Sequence, residues 1–199
     1  PFVNRDIHLI VEHLTSKISV KKVSIFTNAT IVPREHQWGA FRHDKVRFFI
    51  TEYTQSRNHK ELINELTKRQ IQHVSETANG WTDCTSFDKQ NRTDLVNAEI
   101  FNACCAKNLA SLHEGKLFRC PYSANATKLQ AIPNFKDDYV VVATASRDQI
   151  RAFLRDKPFI KACDHCSGRS YDAPVISPAI QVKAPLKYKK YSLEAINGS

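Results

Sequence analysis

Five of the six cysteines in this 199-residue chain fall into two groups with the spacing of metal ligands. Cys104 and Cys105 stand next to each other, and nine residues separate Cys105 from Gly115, which four more separate from Cys120. A long interval then leads to Cys163-x2-Cys166. Four thiolates delivered as two remote pairs suit a tetrahedral metal ion or an iron-sulfur cube. Adjacent cysteines rarely serve one centre together, so Cys104 and Cys105 are alternatives for one ligand position, and the hairpin spacing prefers Cys105. Structural zinc and unrelated buried thiols are the competing readings of the same set. His165 lies between the paired cysteines and reads as a solvent-facing residue, because four sulfurs already suffice. Cys84 stands apart and reads as a stray thiol. The chain has no nucleophile and base motif, no glycine-rich phosphate loop and no HExxH zinc site.

The elements around these residues follow from periodicity. Gly115 interrupts a short apolar run, as the turn of a hairpin would, and such a hairpin brings the first cysteines and Cys120 to one end. Asp94 predicts the cap of a helix through Leu95, Ala98 and Phe101 that carries Cys104 and Cys105 at its end. Tyr139 to Val142 reads as a buried strand. Ser146 and Gln149 predict a capping box for a helix with Ile150, Phe153 and Leu154 inward. Residues 85–93 are polar and read as a linker into this cysteine domain, which is expected over 94–182; 183–199 read as a basic tail.

The first part of the chain alternates differently. From Asn4, the spacing of Ile7, Ile10, Val11, Leu14 and Ile18 predicts an amphipathic helix. Lys22 to Thr27 predicts a strand, and Val46 to Thr51 a second strand apolar enough to be buried on both faces. Asn58 with Glu61 predicts a capped helix with Leu62, Ile63 and Leu66 inward. Ile71 to Val74 predicts a third strand. Helix and strand in alternation imply an α/β fold with a parallel sheet or barrel over residues 1–84. Chemistry in such folds sits at the carboxyl ends of strands. That places Thr27, Asn28, Glu52, Trp81 and Asp83 among the candidates, with Glu52 and Asp83 suited to hydroxyls or amines and Trp81 to stacking or plain packing.

The arrangement Cys105-x9-Gly115-x4-Cys120 with a distant Cys163-x2-Cys166 resembles the one-cluster, twitch form of the SPASM domain, the auxiliary 4Fe-4S module of many radical S-adenosylmethionine enzymes. The resemblance covers residues 95–185 by motif and 1–80 by general pattern. The larger form of the domain has further cysteines after Cys-x2-Cys, and none follows Cys166. The family implies the C-terminal part of a (βα)6 TIM-like barrel followed by a small α+β cluster domain. Thr27-Asn28-Ala29 is similar to the Thr-Asn-Gly closing a barrel strand in that family, with alanine in place of glycine, which implies cofactor binding by Thr27 and Asn28. The opening Pro1-Phe2 is similar to the end of the family's Gly-Gly-Glu-Pro motif, so the chain is expected to continue a longer enzyme. The cofactor-cluster motif Cys-x3-Cys-x2-Cys is absent from the 199 residues. S-adenosylmethionine and a second 4Fe-4S cluster are therefore expected in the preceding half, and this polypeptide alone is expected to be inactive. The implied reaction is oxidation of a substrate radical, with a sugar or aminocyclitol alcohol as first substrate class and a peptide or protein as the next. A flavodoxin or ferredoxin is the implied electron donor.

Composition fits a cytoplasmic protein. The chain is 42% hydrophobic and 25% charged, with no apolar run of membrane-spanning length. Clustered cysteines in a chain of this size imply metal ligation in a reducing compartment over a disulfide scaffold. The net charge of +9 raises nucleic acid as a partner, and a zinc-binding nucleic-acid module is the rival class. The excess is unevenly placed: Lys and Arg number 14 against 12 acids in residues 1–100, and 15 against 8 thereafter. A basic shell around an anionic thiolate-bound cluster accounts for that bias without nucleic acid.

Overall fold

The computed structural model describes residues 1–83, 87–169, 173–179, 187, 190 and 191. They form two units, 1–79 with 178–181, and 80–177 with 182–199. Trp81 and Asp83, expected in the first part, thus belong to the second. Cys84, residues 85–86 and nearly all of the basic tail lie outside the described residues.

The first unit runs α1 (Ile7–Thr15), β1 (Val23–Thr27), α2 (Trp38–Phe41), β2 (Val46–Glu52), α3 (His59–Lys68) and β3 (His73–Thr77). The strands make a parallel sheet in the order β1-β2-β3, aligned as Ile25, Phe48 and His73 across the sheet. One face carries Val23, Ile25, Val46, Phe48 and Ile50, all buried with Val11, Phe41, Leu62 and Leu66. Each fully buried aliphatic side chain of that kind contributes ~1.5–3 kcal/mol. Phe2 stacks on Phe48 with centroids 5.9 Å apart, and Phe41 meets Phe48 edge-on at 5.5 Å.

Among the described residues the opposite face is only partly covered. Phe26 is 67% exposed and stacks on Phe49 at 4.9 Å, so β2 is buried on one face where its composition predicts two. The described strands stay an open sheet.

Two local details also differ from the sequence reading. Asn58 makes no side-chain cap on α3, because its Nδ2 donates to the Thr30 carbonyl at 2.9 Å and ties down the loop after β1 instead. Ile71 precedes the third strand. It is buried as the last residue of a Schellman motif, its N–H donating to Leu66 O and that of Gln70 to Thr67 O, with Gln70 at φ 58°.

The second unit runs β4 (Trp81–Thr82), α4 (Asp94–Ala103), β5 (Ser111–His113), β6 (Lys116–Phe118), α5 (Pro121–Lys128), β7 (Tyr139–Val141), α6 (Arg147–Arg155), a 3-10 turn Lys161–His165 and β8 (Val175–Ile176). β4 pairs antiparallel with β8, and β5-β6-β7 form an antiparallel sheet. The β5-β6 turn is Glu114-Gly115, with φ 49° and 74°, the paired positive values that a tight two-residue hairpin requires. The expected hairpin is present, and β7 is its third strand, half-exposed where its apolar run predicts burial.

Ser146 and Gln149 form the predicted capping box on α6, a feature worth ~1 kcal/mol. On α4 the cap is Thr93, whose Oγ1 accepts from Val96 N, and Asp94 is the first helical residue. Leu95 is 71% exposed, so the buried stripe of α4 is Asn97 and Phe101. No helix among the described residues is long and apolar enough to cross a membrane.

Candidate metal centre

Three segments of the second unit converge on one cavity and bring four thiols to it: Cys104, Cys120 and the pair Cys163 and Cys166 line it together. Cys105 does not line it. Cys104 ends α4 as its C-terminal cap residue, and its Sγ accepts from Ala106 N at 3.4 Å. Cys105 turns its backbone N–H to Arg169 O at 2.8 Å. Of the two adjacent candidates the helix end thus presents Cys104, where hairpin spacing favours its neighbour.

Cys120 follows β6 and immediately precedes α5, with Pro121 in the first helical position. The backbone N–H groups of Tyr122 and Ser123 favour its thiolate, while burial pushes the thiol up. Cys163 sits in the 3-10 turn and Cys166 caps its end. Gly168, at φ 80°, then lets its N–H reach back to Cys166 Sγ at 3.4 Å.

The turn is held from three sides. Asp138, 2% exposed, accepts from Lys161 N and Ala162 N, both at 2.8 Å, and so caps the start of the turn. Burial pushes its carboxyl up, and those two N–H groups and Lys157 and Lys161 pull it back. Arg92 donates from Nη1 to the carbonyls of Cys163 at 3.0 Å and Cys166 at 2.8 Å, and its own N–H donates to Asp164 Oδ1 at 2.7 Å. Gln90 N donates to Asp164 O, so residues expected as a linker form part of the clamp. Tyr122 Oη donates to His165 O at 2.9 Å. His165 is buried, its Nδ1 facing Phe87 O at 3.0 Å, where the sequence reading places it in solvent. Arg92, Asp138 and Tyr122 carry no local sequence signal for these roles, since their partners lie 23 to 74 residues away.

The donor chemistry is uniform. Apart from the four thiols the cavity is walled by groups such as Ile100, Phe101, Ile160 and Ala162, and sulfur ligands in an apolar shell select zinc or iron-sulfur centres. The cavity is small, about 30 Å³. That suits a compact inorganic group gripped by sulfurs, not an organic substrate. Burial, reinforced by Cys120, Cys166 and Asp138, pushes the Cys163 thiol up to about 12. Ionising all four thiols there needs compensating cations, and metal binding would release the protons.

Arg119, 7% exposed and stacked on Phe101 at 4.9 Å, lies close enough to Cys163 to feel its charge. Among the described residues no three His, Cys, Asp or Glu side chains stand together as ligands of one ion. A single zinc needs its thiolates ~2.3 Å from one point, hence ~4 Å from each other. A cube, with one iron for each thiolate, takes a wider set.

The remaining candidates are distributed between the units. Thr27 Oγ1 accepts from Ala29 N, and Asn28 Oδ1 accepts from Thr30 N and Oγ1, an Asx turn closing β1. Ala29 has φ 53° and is fully buried, the left-handed conformation that a glycine there would adopt without strain. Glu52 ends β2 with Oε1 at 3.4 Å from His59 Nδ1, and His59 Nε2 lies 2.7 Å from Ser75 Oγ, a polar cluster the sequence reading did not single out. Trp81 and Asp83 belong to the second unit, where Asp83 N donates to Pro174 O at 2.8 Å. Compared with protein-family profiles, curated proteins and solved structures, the chain matches none.

Proposed function

We propose that the second unit is a twitch-type auxiliary domain holding one 4Fe-4S cluster on Cys104, Cys120, Cys163 and Cys166, within a cytoplasmic radical S-adenosylmethionine oxidoreductase. The observation that carries this reading is the meeting of those four thiols, from three segments, in a single apolar cavity. When bound, such a group supplies a one-electron acceptor for the oxidation of a substrate radical. The chain's own residues would set its potential: the N–H groups of Ala106 and Gly168 donate toward two of the sulfurs, Arg119 adds a buried positive charge, and the apolar wall excludes water.

The first unit supports the barrel half of the proposal. Parallel strands covered by helices on one face and showing a partly exposed aromatic face on the other match a piece of barrel wall. Thr27 and Asn28 are the proposed contacts to S-adenosylmethionine, whose cleaving cluster would lie on cysteines outside these 199 residues. Glu52, Trp81 and Asp83 are the proposed substrate contacts, for a sugar or aminocyclitol alcohol first and a peptide next, with a flavodoxin or ferredoxin as reductant.

Anaerobic reconstitution with iron and sulfide tests the cluster. The expected result is about four of each per chain and a brown chromophore. One equivalent of zinc, with no iron retained, would overturn the reading in favour of a zinc module.

A further inference from the structure

A second cleft in the same unit, about 440 Å³, falls within the ~300–1,000 Å³ typical of small-ligand sites. Asp164 and His165, the two residues between the paired cysteines, form part of its wall with Arg92. Asp164 and Arg92 are already committed: the carboxylate accepts the Arg92 N–H, and the guanidinium holds the two cysteine carbonyls.

Asn97 is not committed. It lines the cleft, is 4% exposed, and its Oδ1 has no hydrogen-bond partner among the described residues. Native folds rarely leave a buried amide oxygen unpaired, and one that faces a cleft can be paired by a ligand's N–H. Lys89, exposed and in no ion pair among the described residues, and Lys161, whose Nζ leans on the exposed Asp137 at 3.1 Å, supply positive charge at the same wall. Phe135 and Phe159 supply apolar surface. An inorganic anion would leave the amide oxygen and both rings unused, and a simple cation would meet the lysines.

We propose that this cleft binds a molecule with a carboxylate beside an N–H donor, a free α-amino acid or the carboxyl-terminal residue of a peptide. The carboxylate lies between Lys89 and Lys161, the N–H donates to Asn97 Oδ1, and the side chain rests on Phe135 and Phe159. A free amino acid would also offer its ammonium to Asp94, which lines the cleft in the first turn of α4. The site goes beyond the cluster reading and does not depend on it.

Calorimetric titration and thermal melts of the full chain, with and without iron, test the proposal using panels of free amino acids, N-acetyl amino acids and N-acetyl amino acid amides. At least one carboxylate-bearing probe is expected to bind and raise the melting temperature, and its amide to bind about tenfold more weakly. Tighter binding of the free form identifies an amino acid site, and of the acetylated form a peptide-end site. Asn97→Leu is expected to weaken binding about tenfold while leaving the ligand-free melting temperature unchanged or higher, since it removes an unpaired polar atom. Lys89→Ala, at an exposed position, is expected to weaken the acid but not the amide, and decides alone should Asn97→Leu fail to fold. Absence of binding by every probe, equal binding of acid and amide, or undiminished binding by the variants would overturn the proposal.

Discussion

Cys104 and Cys105 are neighbours of identical chemistry, which makes their serine substitutions an internal control for the proposed centre. Only Cys104 lines the cavity with Cys120, Cys163 and Cys166. Four-ligand structural zinc sites are worth ~10–16 kcal/mol, and by that scale one thiolate of four carries ~2.5–4 kcal/mol. Losing that amount lowers affinity by roughly 10²–10³-fold. Cys104→Ser should therefore fail to hold iron after anaerobic desalting against a mild chelator. Cys105→Ser should keep the full iron and sulfide content and release it at the unsubstituted rate, since its bond to Arg169 O comes from the backbone and survives the change. Its effect on folding should stay within ~0.5 kcal/mol, as for substitutions away from packed features. The measurement is iron and sulfide per chain together with the rate of chelator extraction. Loss of iron in Cys105→Ser with retention in Cys104→Ser would refute the placement of the α4 end, and retention in both would refute the four-thiolate centre.

Asp138→Ala strands the N–H groups of Lys161 and Ala162 and should cost ~2–4 kcal/mol in urea unfolding, with Asp138→Asn costing less because its oxygen still accepts one of them. Arg92→Ala removes the Nη1 that donates to the carbonyls of both Cys163 and Cys166, and should lower stability by ~1–3 kcal/mol and speed chelator extraction of iron, whereas a merely surface role predicts no change in either. For the metal-free chain, the raised Cys163 thiol contributes stability that is complete below the ordinary thiol value of 9.0 and is lost as the pH rises through about 12. Its melting temperature should fall across that window, and Cys163→Ala should flatten the fall; an unchanged slope would contradict the burial of this thiol.

Local patterns were sufficient for several elements. The capping box of Ser146 and Gln149, the glycine hairpin before Cys120 and the parallel strands β1 and β2 each depend on residues within one turn or one strand of each other, so their physics is written in short spacing. The same logic misled where a residue had another partner, distant for Asn58 and five residues back for Ile71. Asn58 gave its amide to Thr30 instead of capping α3, and Ile71 closed a helix end instead of beginning β3.

By itself the sequence determined that two pairs of thiols exist and that a hairpin and a short turn hold them, because those features are set by neighbours in the chain. Tertiary packing alone decided which of Cys104 and Cys105 lines the cavity, since that depends on how α4 ends against the Cys163–Cys166 turn. It also recruited Arg92, Asp138 and Tyr122, whose carbonyl, N–H and hydroxyl pairings cross 23 to 74 residues. A backbone group buried by folding must find a partner wherever the fold brings one, and no spacing along the chain encodes which residue that will be.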